Sequence, residues 1–166
     1  MKVSFDIKLT AKDLYKFNIS QAYKGMQGSL SIILPLLVFA YAASTFGAVS
    51  MGSTVVYVGL GILFLVYVPV SLWLRVKKTI TDSNNALSKT LHYDFEEDAI
   101  RVSVEEEKVE FKWENIFQMK STSDLVLVYT NRINAYILPK SQLGDKYNKL
   151  SELAHKKLEK YRIKMK

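Results

Sequence analysis

Polar and apolar residues follow three different rhythms along this chain. Near the N-terminus, apolar Val3, Phe5, Ile7 and Leu9 alternate with polar Ser4, Asp6 and Lys8, the period of a half-buried strand. Thr10 then caps a helix, because Asp13 lies three residues on and Leu14 and Phe17 begin a modest apolar stripe running toward Tyr23. The alternation stops there. Between Lys24 and Arg75 no Asp, Glu, Lys, Arg or His occurs, and two apolar runs, Leu30 to Val49 and Val55 to Leu74, flank the neutral link Ser50-Met51-Gly52-Ser53-Thr54. About twenty residues at a rise of about 1.5 Å each cross a hydrocarbon core of about 30 Å, so each run is long enough to span a bilayer.

A link this short makes the two runs an antiparallel hairpin with both ends on one side. Lys12, Lys16 and Lys24 precede the hairpin, Arg75, Lys77 and Lys78 follow it, and the link carries no positive charge, which puts both termini in the cytoplasm. A secretory signal cut after Ala40-Tyr41-Ala42 would need no second run behind it, and the core of a soluble domain rarely uses so long a neutral stretch. A turn centred near Met51 and Gly52 sets Pro35 beside Pro69 and Ala43 near Gly59 and Gly61. These small residues and Gly47 allow close helix packing and leave room for hairpins to pair as a homodimer. Tyr23 and Trp73 sit where interfacial anchors belong. No ionisable residue lies inside, so the hairpin lacks the proton or ion relay of a transporter and reads as an anchor.

From Thr90 the period becomes two. Strands are predicted at Thr90 to Phe95, Ala99 to Val104, Lys108 to Trp113, Ile116 to Lys120, Leu125 to Tyr129 and Ala135 to Leu138, punctuated by Glu96-Glu97-Asp98, Glu105-Glu106-Glu107 and Asn131-Arg132-Ile133-Asn134. Val109, Phe111 and Trp113 form the core face of the third strand, and the non-alternating Leu125-Val126-Leu127-Val128-Tyr129 is covered on both faces. After Pro139 the spacing predicts a helix from Ser141 to Arg162, whose stripe of Leu143, Tyr147, Leu150, Ala154, Leu158 and Tyr161 docks on the sheet. Four segments result: a strand and amphipathic helix (1–25), the hairpin (26–75), a helix extension and linker (76–89) and a cytoplasmic α+β domain (90–166).

The net charge of +7 is placed unevenly: residues 1–25 and 75–89 carry +3 each, 90–130 carry −6 and 140–166 carry +6. Basic segments beside a membrane gain about 1 kcal/mol per Lys or Arg from an anionic inner leaflet, a more economical account than nucleic acid. Lys146, Lys149, Lys156, Lys157 and Lys160 share one flank of the last helix with Leu153 and are the predicted surface contact with that leaflet; pairs within the helix such as Asp145 with Lys149 and Glu152 with Lys156 are the competing account.

The run Tyr93-Asp94-Phe95-Glu96-Glu97-Asp98-Ala99-Ile100, then Phe111-Lys112-Trp113-Glu114-Asn115-Ile116, Asp124 to Tyr129 and Ile137-Leu138-Pro139-Lys140, resembles the C-terminal domain of YcxB-like bacterial membrane proteins. Phe5 with Leu9 to Phe17 is similar to that family's opening segment. The resemblance implies a small pleckstrin-homology-like antiparallel sheet closed by a C-terminal helix and interrupted by a transmembrane hairpin, in a bacterial plasma membrane. Small basic membrane proteins of this layout also resemble the self-immunity proteins of bacteria that make leaderless bacteriocins, which implies protection of the host membrane and a cationic peptide as partner. A membrane-anchored scaffold or lipid-surface-binding domain that recruits another membrane protein is the alternative.

Chemistry is not expected. There is no cysteine, so thiol catalysis, thiolate metal sites and disulfides are excluded. His92 on a strand and His155 on the helix read as local hydrogen-bonding groups, the acidic triplets as solvated turns, and Phe111 and Trp113 as core. No catalytic residue, cofactor or metal is predicted, and the partners are the lipid bilayer and its anionic inner leaflet rather than nucleic acid.

Overall fold

The structure is a computed structural model that describes residues 2–165, with the Gln27 side chain set aside. The chain forms two compact units: residues through 14 together with those from 78 onward, and residues 15–77.

The first unit begins with strand β1 (Val3–Lys8), and α1 (Ala11–Ala22) leads out of it. The start of α1 is a capping box: the backbone N–H of Asp13 donates to Thr10 Oγ1 at 3.2 Å, and the Thr10 N–H donates back to Asp13 Oδ2 at 3.1 Å. The second unit holds most of α1, all of α2 (Gly25–Ser44) and α3 (Met51–Thr81) as far as Lys77. The turn joining them falls at residues 45–50, not 50–54. Ser44 and Thr45 hydroxyls fold back onto the Tyr41 carbonyl, Gly47 takes a φ of +85° that favours glycine, and Ser50 Oγ accepts the Ser53 N–H to cap α3.

Strands β2 (Thr90–Phe95), β3 (Ile100–Val104), β4 (Glu107–Phe111), β5 (Gln118–Ser121), β6 (Leu125–Tyr129) and β7 (Ala135–Pro139) follow. Then come α4 (Lys140–Leu143), α5 (Lys146–Lys157) and the two-residue β8 (Ile163–Lys164). Two four-stranded sheets form among the described residues, ordered β1-β2-β3-β4 and β7-β6-β5-β8. All pairings are antiparallel except β5 with β8. The N-terminal strand β1 joins the first sheet in the register Val3 to Phe95 through Lys8 to Thr90, with Val3, Phe5 and Ile7 buried as its alternation predicts.

Aromatic rings join the sheets. Phe5 stacks on Tyr93 and Phe95 at 5.7 and 5.6 Å, Phe95 meets Trp113 at 6.0 Å, and Tyr136 of the second sheet touches Tyr93 at 6.0 Å and Phe111 at 5.5 Å. The indole N–H of Trp113 donates to the Glu96 carbonyl at 2.8 Å, so that ring is core with its polar end satisfied. Burial raises the pKa of the Tyr93 hydroxyl far above the usual phenol value. All five residues of β6 are buried, as expected for a strand with no alternation.

Three sequence expectations fail here. Val109 is 53% exposed because β4 is an edge strand, and Trp113 belongs to a 3₁₀ turn (Trp113–Asn115) after it. The helix predicted over 141–162 is broken at Gly144, whose φ of +51° and ψ of −132° no helix accommodates, and ends at Leu158 in extended backbone. Tyr161 therefore leaves the docking stripe and is exposed, whereas Leu143, Leu150, Ala154 and Leu158 are buried as the stripe predicts.

Candidate membrane interface

The unit of residues 15–77 inverts the usual arrangement of apolar side chains. Among the described residues, all but four of the exposed large hydrophobic side chains lie between Met26 and Leu74. Helix α3 is 31 residues long, its most apolar window has a mean hydropathy of 2.3, and 6% of that window is buried, so it is long and apolar enough to cross a membrane. The apolar part of α2, Gly28–Ser44, is shorter.

The two helices touch through Tyr41 and Tyr57, whose rings lie edge to face at 5.2 Å, and through Phe39 packed over Gly61. A Cβ on Gly61 would sit 2.5 Å from the Phe39 ring, so this glycine permits the approach. The predicted packing set divides. Pro35 and Gly61 are buried, Ala43 is exposed while its neighbour Ala42 is buried, Gly47 belongs to the turn, and a Cβ on Gly59 would meet nothing within 4 Å. Because Tyr41 faces Tyr57 and Phe39 faces Gly61, Pro35 and Pro69 lie at different levels: the turn comes earlier in the chain than a Met51-Gly52 centre would put it. Gly59, Ile62, Leu63, Val66 and Val70 instead line a shallow apolar groove of about 580 Å³.

Antiparallel contact brings the start of α2 and the last turns of α3 to one end, and the neutral turn forms the other. At the charged end Trp73 is an aromatic collar: Tyr15 of α1 meets its ring edge to face at 5.3 Å, and Lys77 Nζ lies 5.5 Å from its centroid. Tyr15 is a member the sequence reading missed, although it stands four residues before Ile19 on the α1 face. Tyr23 is half-buried, its backbone lying so close to Gly28 that a Cβ there would come within 2.5 Å. The Lys24 ammonium donates to Gln21 Oε1 at 2.6 Å.

In the other unit the lysine flank is not one surface. Leu153 is fully buried and is core. Lys146, Lys149 and Lys156 are exposed on α5, whereas Lys160 lies past the helix end in a 3₁₀ turn (Lys160–Arg162). Lys156 and Lys157 reach Glu97, at 3.8 and 3.5 Å, so the acidic turn after β2 is solvent-exposed as expected and also serves as their counter-charge.

The outer face of the first sheet carries an ion-pair ladder. Lys2 bridges Asp94 at 3.2 Å and Glu96 at 3.0 Å; Arg101 pairs with Glu96 and, at 2.6 Å, with Glu110. His92 Nδ1 meets Asp6 at 2.6 Å and its Nε2 meets Asp94 at 3.4 Å. Partial burial pushes the Asp94 carboxyl up, but hydrogen bonds from Ser4 and Lys2 outweigh it and hold the group below the usual carboxylate range. Glu96 is held low by Lys2 and then Arg101, and Glu110 followed by Glu96 raises the Arg101 guanidinium. Each charge has an opposite neighbour, which leaves the ladder as cross-strand structure. His155 Nδ1 lies 2.8 Å from the Ser151 carbonyl, a bond within α5. Among the described residues no group of three His, Cys, Asp or Glu side chains gathers to hold a metal ion.

A strand pair, a tryptophan-bearing connection, a buried β6 and a closing α5 stand in the order that the aromatic and acidic motifs announce. Residues 95–154 match the YcxB-like protein family. The YcxB-like segment runs from the last residue of β2 through most of α5, and so takes in the aromatic core, the buried β6 and the Glu97 counter-charge of the lysines. No curated protein and no solved structure matches the chain.

Proposed function

We propose that this is a non-enzymatic, membrane-anchored protein whose α2 and α3 cross a bacterial plasma membrane as a hairpin and whose α+β unit works at the cytoplasmic surface. The observation that carries the reading is the inverted burial of residues 26–74: side chains as apolar as those of β6 face outward along both helices, and a hydrocarbon environment removes that cost. All 20 residues of α2 at about 1.5 Å each match a hydrocarbon core of about 30 Å, which supports counting it as the second span. The neutral turn at 45–50 and the Trp73 collar with Lys77 support a cytoplasmic placement of the charged end. Four strands in one sheet and three principal strands in the other, with α5 after them, support the pleckstrin-homology-like reading.

Within that frame we assign the protein the protection of its host membrane against a membrane-active peptide, on the strength of the resemblance to bacteriocin self-immunity proteins. Expression in a peptide-sensitive strain should raise the inhibitory concentration of such a peptide; unchanged killing rejects the role. A cysteine at Gly52 should react with an impermeant thiol reagent on intact cells, and protection of that position until the cells are opened rejects the topology. The alternative, a scaffold or lipid-surface-binding domain that recruits another membrane protein, is favoured by one observation: Phe117, Ile133 and Tyr161, next to strands of the second sheet, are exposed.

A further inference from the structure

Among the described residues of the α+β unit, four large apolar side chains are exposed: Val109, Phe117, Ile133 and Tyr161. Val109 lies on the edge strand β4, and the other three gather at one end of the second sheet. Phe117 precedes β5 and donates its N–H to the Tyr129 carbonyl at 2.8 Å, which sets it beside the end of β6. Thr130 then enters the β6–β7 turn, closed by Asn131 Oδ1 accepting from the Ile133 and Asn134 N–H groups at 2.8 and 2.7 Å. Ile133 at the tip is 74% exposed. Tyr161, 68% exposed, and Arg162 line a groove of about 440 Å³ together with Phe117 and Thr130. The groove is built in place: Arg162 Nη1 donates to the Glu114 and Ile116 carbonyls at 3.2 and 3.3 Å, and its guanidinium lies 5.7 Å from the Tyr161 ring.

The charges around the three apolar groups are mostly positive. Arg132 stands beside Ile133, and Lys160, Arg162 and Lys164 flank Tyr161; Glu114 and Glu159 are the acidic neighbours. Exposed apolar tips ringed by cations match the chemistry of an anionic bilayer, in which rings and aliphatic groups enter the headgroup layer and Lys and Arg remain with lipid phosphates. On the membrane-anchored reading the unit is tethered to the apolar helices through residues 9–24, which include α1, and through residues 82–89. We infer that the end of the second sheet formed by Phe117, Ile133 and Tyr161 with Arg132 and Arg162 docks on anionic lipid, and that this surface, not the α5 lysine flank, is the principal peripheral contact of the unit. The inference rests on the membrane-anchored reading and adds to it the lipid class and the residues.

The chain has no cysteine, so single reporters can be placed in the whole protein. Full-length protein carrying a polarity-sensitive dye on Ile133→Cys would be reconstituted in nanodiscs of phosphatidylcholine alone or mixed with phosphatidylglycerol, with Val109→Cys as the water-facing control and Leu63→Cys as the test of the anchor. The dye at position 133 should shift to the blue and lose its quenching by aqueous iodide only in the phosphatidylglycerol discs, while position 109 stays water-like in both. Adding Arg132→Glu should abolish the shift. A position 133 as iodide-accessible as position 109 in both discs overturns the inference, as does an equal shift in the neutral discs. Quenching of the position 63 dye by a lipid-chain spin label reports on the anchor alone, so loss of that signal is a failure of the hairpin reading and loss of the position 133 signal a failure of the docking surface.

Discussion

Leu125-Val126-Leu127-Val128-Tyr129 in β6 and Ile62-Leu63-Phe64-Leu65-Val66 in α3 are nearly interchangeable in composition, yet every residue of the first is buried and every residue of the second exposed. Composition therefore does not separate buried core from exposed helix face in this chain; length and flanking charge do. A five-residue apolar strand bounded by Asp124 and Asn131 finds its cover inside the same unit. The run from Val55 to Leu74 carries no charge, finds little cover within the chain, and lies in a helix long and apolar enough to cross a membrane.

The comparison breaks most visibly by truncating a ring in each region. Phe95→Ala removes a buried side chain that touches Phe5, Tyr93 and Trp113, and should cost about 3–5 kcal/mol in denaturant unfolding followed by circular dichroism. Phe64→Ala on the outer face of α3 should leave the same transition within about 0.5 kcal/mol, and equal losses would mean that α3 is packed against protein after all. Next in size, Leu63→Arg places a charge mid-helix at about 2.5–3.5 kcal/mol for insertion. The inserted fraction in a glycosylation-mapping assay should drop, and full insertion would contradict a lipid-facing α3.

The seam between the helices gives a smaller effect. Gly61→Leu drives a side chain into the Phe39 ring and should cost about 1–3 kcal/mol of helix pairing, whereas Gly59→Leu meets open space. Disulfide yield between cysteines at Tyr41 and Tyr57 should fall for the first and hold for the second. Thr10→Ala removes one side of the capping box and should lower stability by about 1 kcal/mol, read as a shift in urea midpoint with unchanged slope. The smallest change is in acid. Asp94 and Glu96 ionise at lower pH folded than unfolded, so their contribution is present above the ordinary carboxylate range and is lost as pH falls through the depressed values. Melting temperature should decline from about pH 5 downward, and less steeply in Glu96→Gln.

Strand positions were legible because period-two patterning and acidic turns both mark them: β2 and β6 fall where the alternation and the apolar run place them, and β3, β5 and β7 within two residues of it. The capping box was equally legible, since Thr10 and Asp13 need only each other. Leu153 was misread because helical spacing puts it at the margin of the stripe, where a neighbouring element decides between core and flank. Val109 failed for a similar reason, as strand order alone tells which strand is the edge. The turn between α2 and α3 was displaced because hydropathy is flat there; the Ser50 and Ser53 pair, a cap signal, marks the start of α3.

The sequence by itself determined the period of each element, the neutral length of residues 25–74 and the side on which the cations flank it, because these depend on residues near one another in the chain. Tertiary structure alone decided that Glu97 would pair with Lys156 and Lys157, that Gly61 rather than Gly59 would admit Phe39, and that Phe117 and Tyr161 would line one groove at the end of a sheet. Those outcomes join residues far apart in the chain, and strand order and helix rotation set their approach, which no local pattern encodes.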